Sequence, residues 1–141
     1  MGILNRIFGN KVKESQDIEP KKSYDNQTAI SCHLWNNENL TKEELLSSLE
    51  VLNTYSDDAD LIRKLLQCKV CKQLYFYEFL EYRDYENGKD PSYRTWIPVK
   101  NIDIANKLST ARSFDLLQYS SIRIDFPADA TAPSKPYCTI K

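Results

Sequence analysis

A run of aromatic residues between Leu74 and Tyr85 constrains the fold of this chain more than any other part of its sequence. Six of the residues in the run carry aromatic rings. Aromatic side chains pack well on the pleated surface of a sheet, so the run predicts a strand rather than a helix. Tyr93–Val99 predicts the returning strand, with Pro98 at an edge or an end because proline cannot donate to a strand ladder. A chain with these two segments must bury part of a sheet.

Two segments before this strand have apolar residues at helical spacing. Thr41 and Glu44 are spaced as in a capping box, and the leucines that follow predict a helix ending near Asn53. A second helix is predicted from Ser56 or Asp57, because acidic residues favour the positive end of a helix dipole. Its buried stripe would consist of Leu61, Ile62, Leu65 and Leu66. Together the two helices would form a helical hairpin.

The remaining elements follow the aromatic strands. A third helix is predicted from Ile102 to Ala111, and a short turn is predicted from Ser113. Alternating apolar residues predict a half-buried strand over Ser121–Phe126, and Tyr137–Ile140 predicts a last strand. The predicted fold class is therefore α+β, with a helical hairpin packed on a small antiparallel sheet and a candidate zinc knuckle.

Length and charge limit the classes of protein to consider. A chain of 141 residues has the length of one domain, which we place at residues 23–141, after a basic amphipathic arm and linker at residues 1–22. A formal net charge of −1 gives no electrostatic reason to expect nucleic-acid binding. No run approaches the roughly 18 apolar residues that a membrane span needs, and no secretory signal is recognised. A cytoplasmic protein is expected.

The chemistry of the chain is concentrated in Cys68-Lys69-Val70-Cys71. A tight turn points two thiolates at this spacing toward one metal ion, and a structural zinc ion takes four ligands in a tetrahedron. The other two ligands would come from Cys32, His33 or Cys138. The sequence therefore predicts half of a zinc site and leaves the other half open.

Two other interpretations of the cysteine pair stay open. Lys72 stands where zinc knuckles usually have glycine, so the two cysteines could simply pack beneath the aromatic strand. A redox pair is disfavoured, because a thioredoxin-like motif follows a strand and opens a helix, whereas this one is predicted to follow a helix and open a strand. His33 is the single histidine and is interpreted as structural or as a metal ligand.

Acidic and aromatic residues around the end of the aromatic strand predict a surface for a protein partner. Tyrosine is a good interface anchor, and carboxylates accelerate encounter with a basic partner. The proposed contact residues are Glu78, Glu81, Asp84, Tyr85 and Glu86. No phosphate-binding loop, nucleophile elbow or zinc-protease motif is present in the sequence, and an enzyme is not expected.

The segments 65–79 and 90–99, with the Cys68–Cys71 pair, resemble small, largely uncharacterised bacterial proteins that combine a helical pair, a Cys-x-x-Cys knuckle and a tyrosine-rich strand. This resemblance covers roughly residues 32–140 and implies no catalytic residue. In size and acidity the chain is also similar in type to bacterial immunity proteins, which implies that it binds and neutralises a cognate protein toxin. The alternative is a zinc-stabilised structural or regulatory binding module.

Overall fold

The computed structural model describes residues 30–141, so the predicted arm at residues 1–22 lies outside the described residues. Its centre is a six-stranded antiparallel sheet in which each strand pairs with the next along the chain. The strands are β1 (Leu49–Asp57), β2 (Leu61–Cys68), β3 (Leu74–Glu81), β4 (Ser92–Val99), β5 (Ser121–Phe126) and β6 (Tyr137–Thr139). The helices are α1 (Lys42–Ser47), α2 (Ile102–Leu108) and a 3₁₀ helix (Ser113–Gln118). The α+β class is confirmed.

The predicted helical hairpin is wrong. The first helix ends at Ser47, and from Leu49 the chain continues as β1 rather than as helix to Asn53. The second predicted helix is β2, which pairs antiparallel with β1. Backbone hydrogen bonds between Asp58 and Leu61 close the turn that joins the two strands, so the acidic cluster there belongs to a hairpin turn and not to a helix start.

The helical spacing in β2 has a physical explanation. Leu65 packs on one face of the sheet, and Leu66 and Cys68 pack on the other. A strand buried on both faces has a nearly continuous apolar sequence, which cannot be distinguished by periodicity alone from part of a buried helix.

The sheet separates two apolar clusters, which we call the cysteine face and the helix face. The cysteine face contains Cys32, Leu34, Leu40, Leu45, Leu49, Leu66, Cys68, Tyr75, Tyr77, Trp96, Ile122 and Ile124. The helix face contains Leu65, Phe76, Ile97, Val99, Ala105, Leu108 and Leu116. Successive residues of β3 alternate between these faces, as the twofold period of a strand requires. The domain therefore has one layer of chain on each side of a central sheet.

The predictions for the second half of the chain are largely confirmed. The aromatic strand runs over Leu74–Glu81, shorter than predicted. The helix α2 begins at Ile102 as predicted but ends at Leu108 rather than Ala111, and β5 has the predicted bounds. Pro98 lies near the end of β4, beyond Trp96, the last residue of that strand that pairs with β5. In the part of the chain that the structure describes, no helix is long and apolar enough to cross a membrane.

Candidate metal centre

The Cys-x-x-Cys segment forms a tight turn between β2 and β3. The N–H of Cys68 donates to the carbonyl of Gln73 at 2.9 Å, and the N–H of Lys72 donates to the carbonyl of Cys68 at 2.9 Å. Lys72 has a φ of +70°, in the left-handed region that glycine adopts most easily. The lysine therefore takes the backbone conformation for which a glycine is usually needed, and its presence does not prevent the turn.

Three thiols converge at this turn. The sulfur atoms of Cys32, Cys68 and Cys71 all lie within 4.8 Å of one another. Sulfurs bound to one tetrahedral zinc ion at the usual bond length lie about 3.8 Å apart, so the thiols need only a small inward movement to share an ion. Cys32 and Cys68 are buried and Cys71 is exposed, and all three are free thiols. The geometry therefore brings together three thiols that could hold a metal ion.

His33 lies beside Cys68 but outside the group of three thiols whose sulfur atoms all lie within 4.8 Å of one another. Its Nδ1 atom is 4.0 Å from the sulfur of Cys68, against about 3.6 Å between nitrogen and sulfur ligands of one zinc ion. Residues 33–36 form a turn, and the N–H of Trp35 donates to the carbonyl of Cys32 at 2.9 Å. This turn allows two adjacent residues, Cys32 and His33, to approach the same point.

The other ring nitrogen of His33 faces a carboxylate. Its Nε2 atom is 3.9 Å from the Oε2 atom of Glu44, in the first turn of α1. Histidine ligands of zinc commonly donate their second N–H to a carboxylate, which fixes the ring orientation. The sequence identified Glu44 only as part of a capping box, and the Thr41 side chain does accept from its N–H at 3.1 Å. Nothing in the spacing of Glu44 and His33 indicated their contact.

Cys138, which the sequence left open as a ligand, occupies a different position. Its sulfur accepts a hydrogen bond from the N–H of Asn36 at 3.1 Å, and it is not part of the group of three thiols. Burial raises the pKa of the Cys138 thiol. Of the candidates for the remaining ligands, the structure therefore brings Cys32 into the group of three thiols and places His33 beside the sulfur of Cys68, whereas Cys138 lies at a different position.

The surroundings of the sulfur atoms differ. Burial raises the pKa of the Cys32 thiol to about 12, in spite of the hydroxyl of Tyr75 and the N–H of Leu34 nearby. For Cys68, burial also opposes ionisation, but the N–H groups of Cys71 and Val70 point at its sulfur and the net effect lowers the pKa. Backbone N–H groups of the last two residues of a knuckle stabilise the thiolate form of the first cysteine by hydrogen bonding to its sulfur. The turn thus prepares Cys68 to act as a ligand.

Tyr75 covers the cluster from the first part of β3. Its side chain is fully buried, and its hydroxyl has no hydrogen-bond partner among the described residues. Burial raises the pKa of this phenol, and the neighbouring Cys32 raises it further. Burying a hydroxyl without a hydrogen-bond partner costs free energy. A thiolate at Cys32 would accept a hydrogen bond from the Tyr75 hydroxyl. No pattern in the sequence distinguished this tyrosine from the other aromatics of the run.

No protein-family model, curated protein or solved structure matches the chain.

The proposed partner-contact residues do not share one environment. Glu78 is 4% exposed and accepts hydrogen bonds from Arg63 at 2.8 Å and 3.1 Å, so its carboxylate is not on the solvent-facing surface. The Oε1 atom of Glu81 lies 3.6 Å from the Nη2 atom of Arg83. The other three lie in the loop after β3, where Tyr85 is 93% exposed, Glu86 is exposed and Asp84 is half-buried.

Proposed function

We propose that this domain is a protein-binding module whose fold is stabilised by a zinc ion. The ion would be held by the thiolates of Cys32, Cys68 and Cys71 and by Nδ1 of His33. The single observation that carries this proposal is the convergence of three sulfur atoms within 4.8 Å, with the imidazole nitrogen 4.0 Å from one of them.

Such an ion would fix the position of the segment before α1. Cys32 and His33 lie in that segment, and Cys68 and Cys71 lie in the turn between β2 and β3. The ion would therefore join residues about 36 positions apart in sequence and hold the first turn of the described chain against the sheet. Structural zinc binds with an apparent free energy of about 10–16 kcal/mol in small zinc-finger peptides, comparable with the whole stability of a domain.

Zinc content measured by native mass spectrometry tests the ligand set. We expect one zinc ion per chain in the natural protein and in Cys138→Ser, the matched control, whose sulfur lies outside the cluster. The single variants Cys32→Ser, Cys68→Ser and Cys71→Ser should lose the ion. They should also lose the increase in the urea midpoint that zinc gives to the natural protein. Equal zinc content and stability in all four cysteine variants would contradict the proposal.

Glu44 provides a second test, because it touches the proposed ligand His33 and not the ion. Removing a carboxylate that orients a zinc-bound histidine lowers zinc affinity by about 10–100-fold. We expect this loss in Glu44→Gln, measured by competition with a chromophoric chelator. Glu43→Gln is the control, because Glu43 lies in the same helical turn and is exposed. Similar zinc affinity in both variants would show that Glu44 does not orient the histidine.

The partner surface of this module would be the loop between β3 and β4. Tyr85 stands 93% exposed in that loop, beside the carboxylates of Asp84 and Glu86. Exposed tyrosines are effective anchors, and an acidic border favours a basic partner. In its narrower form, the proposal is an immunity-type protein that neutralises a cognate bacterial toxin domain.

Co-expression with the product of the adjacent upstream gene tests the immunity-type proposal. We expect a stoichiometric complex in native mass spectrometry, weakened at least tenfold by Tyr85→Ala and by Glu86→Lys. Ile140→Ala is the matched control, because Ile140 is 62% exposed and lies in the C-terminal segment rather than in the loop. A complex that is equally stable in all three variants would place the contact elsewhere, and absence of a complex would contradict the immunity-type form.

A further inference from the structure

A cavity of about 280 Å³ lies on the helix face of the sheet, between the 3₁₀ helix and strands β3 to β5. Its mouth is bordered by the rings of Tyr82, Tyr93 and Phe114. Phe114 is 78% exposed and Tyr82 is 56% exposed, and neither belongs to an apolar cluster of the core. Two large aromatic side chains are thus exposed to solvent beside an opening. A ligand that covered them would gain the free energy of burying their apolar surface.

The floor of the cavity is polar, which is unusual for the face of a buried sheet. Glu78, Thr95 and Arg123 lie side by side on three adjacent strands, in direct cross-strand register. Glu78 and Thr95 are each 4% exposed, and the Nη1 atom of Arg123 donates to the Thr95 hydroxyl at 3.1 Å. A row of buried polar side chains beneath an opening is typical of sites that orient a ligand by a few hydrogen bonds.

The Glu78 carboxylate retains an acceptor that its neighbours do not use. Its Oε2 atom accepts from Nε and Nη2 of Arg63 and from the hydroxyl of Ser113 at 2.7 Å. Within residues 30–141, no donor contacts its Oε1 atom. A carboxylate oxygen at the floor of a cavity that lacks a protein donor is a position for an N–H group of a ligand.

Charge and size narrow the class of that ligand. Arg63 neutralises Glu78, and Arg123 is paired with Asp125 at 2.9 Å, so the charges at the floor balance. A balanced floor favours a neutral ligand over a phosphate or a carboxylate. The volume lies just below the range of roughly 300–1,000 Å³ for ordinary ligand pockets, which suits a molecule of one or two rings.

We propose that this cavity binds a small, neutral, planar heterocycle with an N–H edge, the chemistry of a free nucleobase. The N–H edge donates to Oε1 of Glu78, and the ring lies against the aromatic side chains at the mouth. This site lies on the opposite face of the sheet from the zinc cluster, and it does not depend on zinc or on the partner surface.

The test is ligand-observed and protein-observed NMR on the full chain with uracil, cytosine, adenine and hypoxanthine as probes. For fragments of this size, we expect at least one base to bind with a Kd of about 0.1–1 mM. Binding should shift the backbone amide signals of Glu78, Thr95 and Ser113. If uracil binds, 1,3-dimethyluracil should bind at least tenfold more weakly, because it has the same ring without an N–H donor. If a purine binds, the same comparison is made between that purine and its N-methylated form.

Phe114→Ala tests the aromatic mouth, and Ile140→Ala is its control, because Ile140 is an exposed apolar residue that does not line the cavity. We expect Phe114→Ala to weaken binding at least fivefold and Ile140→Ala to leave it unchanged. Because Phe114 is mostly exposed, the variant should keep the fold, which its thermal midpoint verifies. The proposal is overturned by no binding of any base, by equal binding of the methylated analogue, or by equal binding in both variants. Tenfold tighter binding of an oligonucleotide would also overturn it as a site for a free base.

Discussion

The Arg63–Glu78 pair should be a strong determinant of stability, because it is an ion pair with little exposure to solvent. The two side chains are each 6% exposed, and Nη2 of Arg63 is 2.8 Å from Oε2 of Glu78. Arg63 also donates to the carbonyl of Ser109 at 2.8 Å, and its guanidinium lies 6.0 Å from the centre of the Phe76 ring. Replacing either partner alone would leave the other charge buried without its counter-charge.

The magnitude follows from that burial. Removing one partner of a buried ion pair costs about 3–5 kcal/mol, so we expect this loss in the free energy of unfolding for Arg63→Met and for Glu78→Gln. The double variant should be less destabilised than the sum of the two, because no unpaired charge remains. We expect a coupling energy of about 2–3 kcal/mol from the double-mutant cycle.

Urea unfolding, followed by the fluorescence of the fully buried Trp96, measures all four proteins of the cycle at constant zinc. The control cycle uses Arg83 and Asp60, which are closer, at 2.6 Å, but have side chains 40% and 48% exposed. Exposed pairs contribute less than about 1 kcal/mol. A coupling energy for Arg63 and Glu78 no larger than that of Arg83 and Asp60 would refute the reasoning. Burial would then not strengthen the interaction of an ion pair beyond what its distance predicts.

Three further predictions concern local structure. Lys72→Gly should stabilise the domain by about 1 kcal/mol in urea unfolding, because Lys72 has a φ of +70°. Asn36→Gly, at a φ of +52°, should change the stability less, since asparagine tolerates this region. A loss of stability in Lys72→Gly would contradict the strain argument. Thr41→Ala removes the cap of α1 and should cost about 1 kcal/mol, so an unchanged urea midpoint would show that the cap contributes nothing. The N–H of Asn87 donates to Asp84 and is the largest cause that lowers the pKa of that carboxyl below its ordinary value. The contribution of Asp84 to stability is complete above the ordinary pKa and is lost as pH falls through the lowered one. NMR titration should give a pKa nearer the ordinary value in Asn87→Pro than in the natural protein, and an equal pKa in both would contradict this cause.

The amino-acid sequence determined the elements whose signals are local. Aromatic and β-branched residues specified β3 and β4, and alternating residues specified β5. The Cys-x-x-Cys spacing indicated a turn with two thiols at one end of the aromatic strand. These features depend on residues within a few positions of one another, so a single sequence is enough to identify them.

The tertiary structure decided the features that depend on distant residues. Whether 61–68 was helix or strand depended on its neighbours, because β2 is buried on both faces. That difference also changed the role of Glu78, since pairing of β2 with β3 places Arg63 opposite it and removes the carboxylate from solvent.

The candidate metal centre shows the same division. Its two knuckle cysteines were singled out from the sequence, whereas the approach of Cys32 and His33, rather than Cys138, to the knuckle depended on the path of the chain across the sheet. Burial, pairing and convergence are properties of the packed chain, and a local pattern does not contain them.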